Sequence, residues 1–520
     1  MISWPERQSA ERDGSLLQPG KTRMNRARDE MISTYRSVSR ALSFLCILGL
    51  VACGPGQGGA PPGVGDGSQD EGAYLFDDSV VRTFALELSE ENRAFLDASP
   101  AREEYVVGAI VIEGERIEPV GVRYKGSVGS FTGCVAGGAG GLTDVSGPKT
   151  CPKLGMKISF NEFVQDGRWR GLKKLQLHAM NQDPSYMKEA LGYSMFQDFG
   201  VASPRVAFVR LVINGEFSGI YVLIEELDSR FAESRFGEVE GGEGNLYKDF
   251  WPGRRSPEAD FFNSIRAEFG AGVDTAIRTN RSDPTLNHDT MVGFINEFQA
   301  ALAIGPEEAD RVVDRWMDVE YFLKYIAVDR ALEADDGPMH FIVFGRPGDP
   351  FTEEGWNHNF YWYAAFDEQK LWPVPWDLDL TLGAGLVDTW VDVPWNDLEL
   401  ACVLIPHVRG FPPIPTIPPA CDPLTRSMAR RQAEYRKVVT QMLKGPFSAE
   451  VVNGKMDRWE ELLTPFVAEE VQTGIRRNGD LMSWKRLVEQ LREYLAMRRS
   501  EIAATIDLVD PAGSFERASD

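Results

Sequence analysis

The segment PVPWDLDLTLG, Pro373 to Gly383, sets two carboxylates in an otherwise apolar run, and no other stretch constrains the fold as tightly. Read as a strand with a two-residue period, Asp377 and Asp379 share one face while Leu378 and Leu380 take the other. Carboxylates flanked by Trp376 and leucines are costly to bury unpaired, so burial here demands a cationic neighbour. A hard, oxygen-seeking metal such as Mg²⁺ meets that demand. The alternative is a pair of solvated aspartates at a strand end.

Residues 1–53 read as an export signal rather than as fold. Basic residues including Arg36 and Arg40 precede the apolar stretch Ala41 to Ala52, which is too short for a permanent membrane span. Leu50-Val51-Ala52-Cys53 resembles the lipobox of bacterial lipoproteins. That resemblance implies cleavage before Cys53 and a lipid on its thiol; a cleaved signal without lipid is the other reading. The basic region lies far from the start, which is compatible with initiation at Met24 or Met31. Residues 54–72, rich in Gly, Pro and Ser, read as a flexible tether. No later apolar run is long enough to span a bilayer. The expected location is therefore the cell envelope, with membrane contact through the lipid anchor alone, or secretion.

Beyond Cys46 and Cys53, the cysteines fall in two local pairs, each bracketing a Gly- or Pro-rich loop. In an oxidising compartment this suggests the disulfides Cys134–Cys151 and Cys402–Cys421. Zinc is the competing use, but there is no CxxC and the five histidines are scattered. A formal charge of −23 and a pI near 4.8 argue against nucleic acid, whose phosphates need a basic face. The exported part, about 450 residues, exceeds one ordinary core, so two lobes are expected.

From Tyr74 to about Val128 short apolar runs alternate as in strands, with one short helix near Ser89 to Ala98. MKISF and LKKLQLHAM add two strands, and Asp183-Pro184-Ser185 opens a helix whose stripe is Met187, Ala190, Leu191 and Met195. Two β-rich runs flanking Asn214-Gly215 give a strong hairpin signal. Helices dominate from about Thr285, interrupted by the strand-like MHFIVFG, NFYWYAAF and LWPVPWDLDL; the region Ser427 to Val509 reads as several amphipathic helices. The outline is a β-rich N-lobe, about 73–250, a helical C-lobe, about 251–510, and a tail, 511–520.

Seven stretches in order, VGVRYKGSVGSF, KISF, DPSYMKEALGYSMFQDFG, RLVINGEFSGIYVLIEELDSRF, NLYKDF, HNFYWY and PWDLDLTLG, resemble the CotH kinase family, the atypical protein kinases named after spore coat protein H. The likeness covers most of Leu75 to Leu508. It implies an α+β fold, bilobal and atypical-protein-kinase-like. It also implies transfer of the ATP γ-phosphate to Ser or Thr of a cell-surface or extracellular protein, with Mg²⁺ or Mn²⁺. Such transfer needs neutralised phosphates, a metal and a carboxylate base. By resemblance Lys157 holds the phosphates and Glu189 orients it, with Arg123 and Lys125 also in reach of phosphate; each also reads as a solvated charge. Backbone groups near Glu225 are placed at the adenine. Lys248 matches a motif without a derivable role. The resemblance makes Asp336 the catalytic base, with Asp335 as runner-up, Asn359 and Asp377 the metal ligands, and Asp379 an assistant or structural. One departure stands out: about twenty residues separate the acidic cluster from His358-Asn359, where the family has only a few. An inserted hairpin explains this, or His340 replaces the asparagine. The rival functional class is a non-catalytic surface binding or adhesion module on the same fold; a structural Ca²⁺ site is a third.

Overall fold

Alternating apolar and polar residues in the N-terminal strands produce a sheet with one greasy face, and the sheet closes on itself to bury it. The computed structural model describes residues 71–507 apart from 127, 132, 137–144, 241–243, 254–271, 281–285, 335–336, 343–356, 367, 384–394, 404–415 and 477–478. The export signal with Cys53, the tether before residue 71 and the tail lie outside the described residues.

The strands β1 (Arg82–Glu87), β2 (Val106–Ile112), β3 (Glu115–Tyr124), β4 (Met156–Ser159), β5 (Lys174–His178), β6 (Val206–Ile213) and β7 (Glu216–Ile224) form a closed barrel in the order β1-β2-β3-β4-β5-β7-β6. Parallel pairing of β1 with β6 closes it, which removes the exposed edges an open sheet would carry. Phe84, Ile110, Val122, Ile158, Leu177 and Leu223 fill the interior as one apolar cluster. At the expected hairpin, Asn214 and Gly215 have φ of 52° and 82°, the pair of positive angles that matches strand twist. The short helix Glu90–Ala98 starts as read, with Ser89 accepting from the Asn92 N–H.

The outer face of the barrel has two fates. Along β6 and β7, Phe208, Ile220 and Val222 join a second, larger cluster with the helices Lys188–Asp198, Val319–Leu332 and Ala449–Thr473. Along β3 to β5 the outer face is polar and open. Downstream, β8 (Asn245–Lys248), β10 (Phe360–Ala364) and β11 (Leu371–Pro375) form a three-stranded sheet in the order β11-β10-β8, and β9 (Phe341–Ile342) pairs with β12 (Thr416–Ile417). The architecture is mixed α+β, strand-rich towards the N-terminus and helical towards the C-terminus. Both disulfides are formed, with Cα separations of 4.6 Å for Cys134–Cys151 and 5.6 Å for Cys402–Cys421. Among the described residues no helix is long and apolar enough to cross a membrane.

Two readings of local structure need correction. The strand in LWPVPWDLDL stops at Pro375; Asp377 has φ of 56°, and residues 377–380 turn rather than extend. The helix after Asp183-Pro184-Ser185 begins at Lys188, because Asp183 first closes a tight turn on the Ser185 N–H and then accepts from the Lys188 N–H. Of MHFIVFG, Phe341–Ile342 is a strand that pairs with Thr416–Ile417; residues 343–356 of the expected inserted hairpin lie outside the described residues.

The helical part grips the barrel at Glu470. Its fully buried carboxylate accepts from Lys153 Nζ (3.0 Å), Tyr186 Oη (2.6 Å) and the Ile220 N–H (2.8 Å), joining β7 to the Ala449–Thr473 helix. Gly219, at φ of 117°, makes this approach possible: a Cβ there would lie 2.8 Å from Glu470 Oε1. Breaking a buried, hydrogen-bonded ion pair from one side strands the other charge. Glu470→Ala is therefore expected to cost about 3 kcal/mol in urea unfolding; a loss of less than about 1 kcal/mol would show that water or rearrangement replaces the carboxylate.

Candidate functional site

The polar outer face of β3 to β5 forms one wall of a cleft, and period-two alternation explains which residues reach it. Val122, Met156, Ile158, Leu175 and Leu177 point into the barrel, so their neighbours point out. Arg123 pairs in register with Lys157, and Lys157 with Gln176, giving a polar row across three strands that continues to Lys174 and His178. The facing wall is the end of the three-stranded sheet, with Lys248, Asp249, His358, Tyr361, Trp376, Asp377 and Asp379. The cavity between them measures about 520 Å³.

At the inner end, three side chains form a chain of contacts. Lys125 Nζ meets His178 Nε2, and His178 Nδ1 lies 2.7 Å from Glu189 Oε1. An ammonium only donates, so Nε2 accepts and the ring proton sits on Nδ1, donating to Glu189. Burial, reinforced by the charge of Lys125, drives His178 down to about 3, so the ring is neutral at ordinary pH. Burial likewise lowers Lys125 to about 8, against the pull of Asp377.

Carboxylates crowd the same corner. One ligand atom each from His178, Glu189 and Asp377 lie within 4.8 Å of one another. Burial and then the charge of Asp377 hold both Glu189 and Asp379 well above the ordinary carboxylate range. Burial would raise Asp377 too, but its surroundings, His178 and Lys125 foremost, keep it low. Since the imidazole is neutral, the lysine carries the charge that does this. Two buried acceptor oxygens without a hydrogen-bond partner belong to residues of the cleft, Glu189 Oε2 in the corner and Glu226 Oε2 along the β4 wall; Asn359 Oδ1 is also without one, but Asn359, expected as a metal ligand, is not among the residues that line the cleft.

The CotH family, described as CotH kinase protein, matches residues 122–502, well over half of the chain. The chain belongs to the CotH kinase protein family. It is similar to the inner spore coat protein H of Bacillus subtilis (strain 168), at 22% identity over 336 residues that cover 65% of this chain and 79% of that protein. A crystal structure of the Helicobacter pylori proinflammatory kinase CtkA aligns over 67% of this chain and 92% of that one, with a TM-score of 0.27 and 9% identity. At that score the likeness carries no structural argument.

Within this CotH family member, the residues singled out from sequence divide clearly. Lys157, Arg123, Lys125, Glu189, Asp377 and Asp379 all line the cleft. Lys157 does not pair with Glu189, however: its Nζ lies 2.9 Å from Glu226 Oε1, while Glu189 is taken by His178. The helix places Glu189 deeper than the Lys157 side chain, and the nearer carboxylate wins. Arg123 is held by Glu103 at 2.8 Å. Glu225 does not line the cleft. Its carboxylate is enclosed by Arg205, Arg230 and Arg235, and its N–H donates to the Arg205 carbonyl; Glu226, Leu227 and Asp228 line the cleft instead. Asn359 is buried at φ of 60°, one residue before β10, with its carbonyl accepting from the Trp376 N–H. Asp335 and Asp336 lie outside the described residues. His178 and Glu226 were not singled out from sequence, although the alternation Lys174, Gln176, His178 in a strand with Leu175 and Leu177 inside carries the signal. Asp249, which follows Lys248, was missed as well; it faces His358 at 3.1 Å and is held well below the usual carboxylate range, the neighbouring His358 and Lys248 outweighing burial.

Beside the acidic cluster, burial pushes Asp329 up to about 7 from an ordinary 3.8. Between those values the unfolded chain has lost the proton and the folded chain keeps it. Stability should therefore fall as pH rises from about 4 to 7, then level off. Asp329→Asn should remove that part of the slope, leaving the variant more stable than the parent at pH 8 by on the order of 2–4 kcal/mol. Urea midpoints of both proteins at pH 5 and pH 8 test this, and parallel profiles would refute it.

Proposed function

We propose that the cleft binds ATP with Mg²⁺ or Mn²⁺ and transfers the γ-phosphate to a Ser or Thr hydroxyl of a cell-surface or extracellular protein. The observation that carries this reading is the meeting, in one cleft, of a cationic wall with a buried corner of carboxylates and unpartnered acceptor oxygens. Lys125, Lys157, Lys173, Lys174, Lys248 and Arg278 line the cleft of a chain whose net charge is −23. A polyanion is drawn to that wall, and a divalent cation to the corner opposite.

The donor set fits a hard cation. Asp377 and Asp379 supply carboxylates, and Glu189 Oε2 is a buried acceptor that receives no hydrogen bond; Asn359 Oδ1, two residues before the cleft-lining Tyr361, likewise receives none and completes the proposed set. A metal held there would neutralise phosphate charge in transfer. On this reading Lys157 and Lys125 grip phosphate, Arg123 supports the wall through Glu103, and the segment from Glu226 to Asp228, beyond Glu225, faces the base. Asp336, or Asp335, takes the acceptor proton. The chain is further proposed to be exported and lipid-anchored through Cys53, with lobes of about 73–250 and 251–510; its two disulfides fit an extracellular or surface setting.

The test uses soluble protein beginning after Cys53, incubated with γ-labelled ATP and Mg²⁺ or Mn²⁺, alone and with casein-like acceptors, beside Asp377→Ala. Phosphate incorporation that falls by about 10³-fold or more in the variant is the expected result. No incorporation by the parent, together with no nucleotide-dependent rise in melting temperature, would move the assignment to a binding or adhesion module.

A further inference from the structure

In protein kinases a lysine on a strand pairs directly with a glutamate on the following helix, and the pair must form before phosphate is held correctly. Here the helix glutamate, Glu189, makes no such contact with Lys157. We infer that His178 is a positioning residue that links Lys125 to Glu189, so that the lysine–glutamate connection of this cleft runs through an imidazole. The inference rests on the ATP reading above for its consequence in catalysis, but its geometry stands on its own.

Three observations support the link. Both ring nitrogens are engaged at once, Nε2 by the Lys125 ammonium and Nδ1 by Glu189. The ring is 8% exposed and cannot turn away without losing both contacts. Trp376 fixes it from the side: its indole lies edge-on to His178 at 6.2 Å between ring centroids, and Lys125 Nζ sits 5.5 Å from the same indole. Trp376 immediately precedes Asp377, so the link also sets the lysine against the carboxylate corner. The linkage spans separate elements: Lys125 follows β3, His178 ends β5, and Glu189 lies in the first turn of the next helix. A direct pair would fix two elements; the imidazole fixes three.

His178 also stands within the cluster that could hold a metal. With both nitrogens committed to protein partners, it has no lone pair to offer unless Lys125 is displaced. Linker and ligand are thus mutually exclusive roles for this ring, and they predict different measurements.

The experiment compares the chain beginning after Cys53 with His178→Gln and His178→Ala. Nitrogen-15 histidine spectra, assigned by the resonance missing in the variants, should show a proton on Nδ1 and a bare, accepting Nε2; the opposite tautomer overturns the link. Mn²⁺ binding without nucleotide, followed by electron paramagnetic resonance, should be the same in parent and His178→Gln, which keeps a donor for Glu189. Loss of Mn²⁺ affinity would make His178 a ligand and overturn it too. In turnover, His178→Ala should lower kcat/KM for ATP by about 10²-fold through misplacement of the lysine. His178→Gln, which keeps one donor and one acceptor, should retain most of the activity, and Lys125→Met combined with His178→Ala should be no worse than Lys125→Met alone. Unchanged kcat/KM in His178→Ala, or additive losses in the double variant, overturns the proposal. Should His178→Ala fail to fold, the tautomer of the parent, assigned with His178→Gln, and Mn²⁺ binding by His178→Gln carry the decision. A parent that turns over no ATP would refute the kinase reading, while the tautomer and Mn²⁺ measurements would still decide the link.

Discussion

Like charges confined in a low-dielectric corner repel strongly, and the cleft is organised around that repulsion. Glu189, Asp377 and Asp379 all face the same inner end, and Lys125 and Lys248 are the lysines that bear on Asp377 there. The consequence is an uneven division of protons. Asp377 keeps its charge against the lysines, whereas Glu189 and Asp379 are pushed towards the neutral form. A folded chain gains nothing from such an arrangement on stability grounds, since apolar residues of similar volume would serve a core better. On the proposed reading, carboxyl groups crowded beside unpartnered acceptors are a place prepared for a cation, and the backbone nearby has a matching character. Asp377, Asn359 and Asp249 all adopt left-handed φ, of 56°, 60° and 55°, a conformation that non-glycine residues enter at a cost and that clusters at functional sites.

Much of the fold was legible because periodicity is strong where one face is buried and the other wet. The barrel strands, the Asn214-Gly215 hairpin and the C-terminal helices follow directly from alternation or amphipathicity, and of the residues singled out by the family resemblance Lys157, Arg123, Lys125, Glu189, Asp377 and Asp379 line one cleft whereas Glu225 and Asn359 do not. The failures share a physical cause. PWDLDL carries the alternation of a strand, but the pattern is also that of a turn whose leucines are buried by tertiary packing: Leu378 lies against Gly192 of the Lys188–Asp198 helix, and the Asp377 N–H donates to Tyr193 Oη. Nothing local reports those contacts. The partner of Lys157 was likewise beyond reach of sequence, because which of two carboxylates lies nearer depends on how the helix is set on the barrel. His178 was readable in principle from its place on the polar face of β5, yet a lone histidine carries no signal until its neighbours are known.

The closed barrel explains why the site lies outside it. Its interior is packed solid with aliphatic and aromatic side chains, leaving no room for a ligand, as expected for a barrel of this strand number. The outer face is then available for use. Half of it, on β6 and β7, is covered by helices, with Phe208 edge-on to Trp459 at 5.8 Å and Glu470 gripping β7. The other half, on β3 to β5, stays polar and becomes the cleft wall. The same seven strands thus serve as a core on the inside, a docking face on one flank and a binding face on the other.

That division leaves the loops on the helical side without barrel support, and the C-terminal helix, Leu481–Asp507, supplies it. Arg498 Nε lies 3.3 Å from Glu333 Oε1 and its Nη2 donates to the Arg330 carbonyl at 2.7 Å, while Tyr494 Oη donates to the same Glu333. Tyr494 also rests against Gly383, whose φ of 70° and lack of a Cβ allow the ring to approach. The Leu382 N–H donates to the Leu332 carbonyl at 2.7 Å, tying the DLDLTLG turn to the end of the Val319–Leu332 helix. Two residues one helical turn apart, more than a hundred positions downstream, therefore hold both the end of the Val319–Leu332 helix and Gly383, just beyond the Asp377 turn.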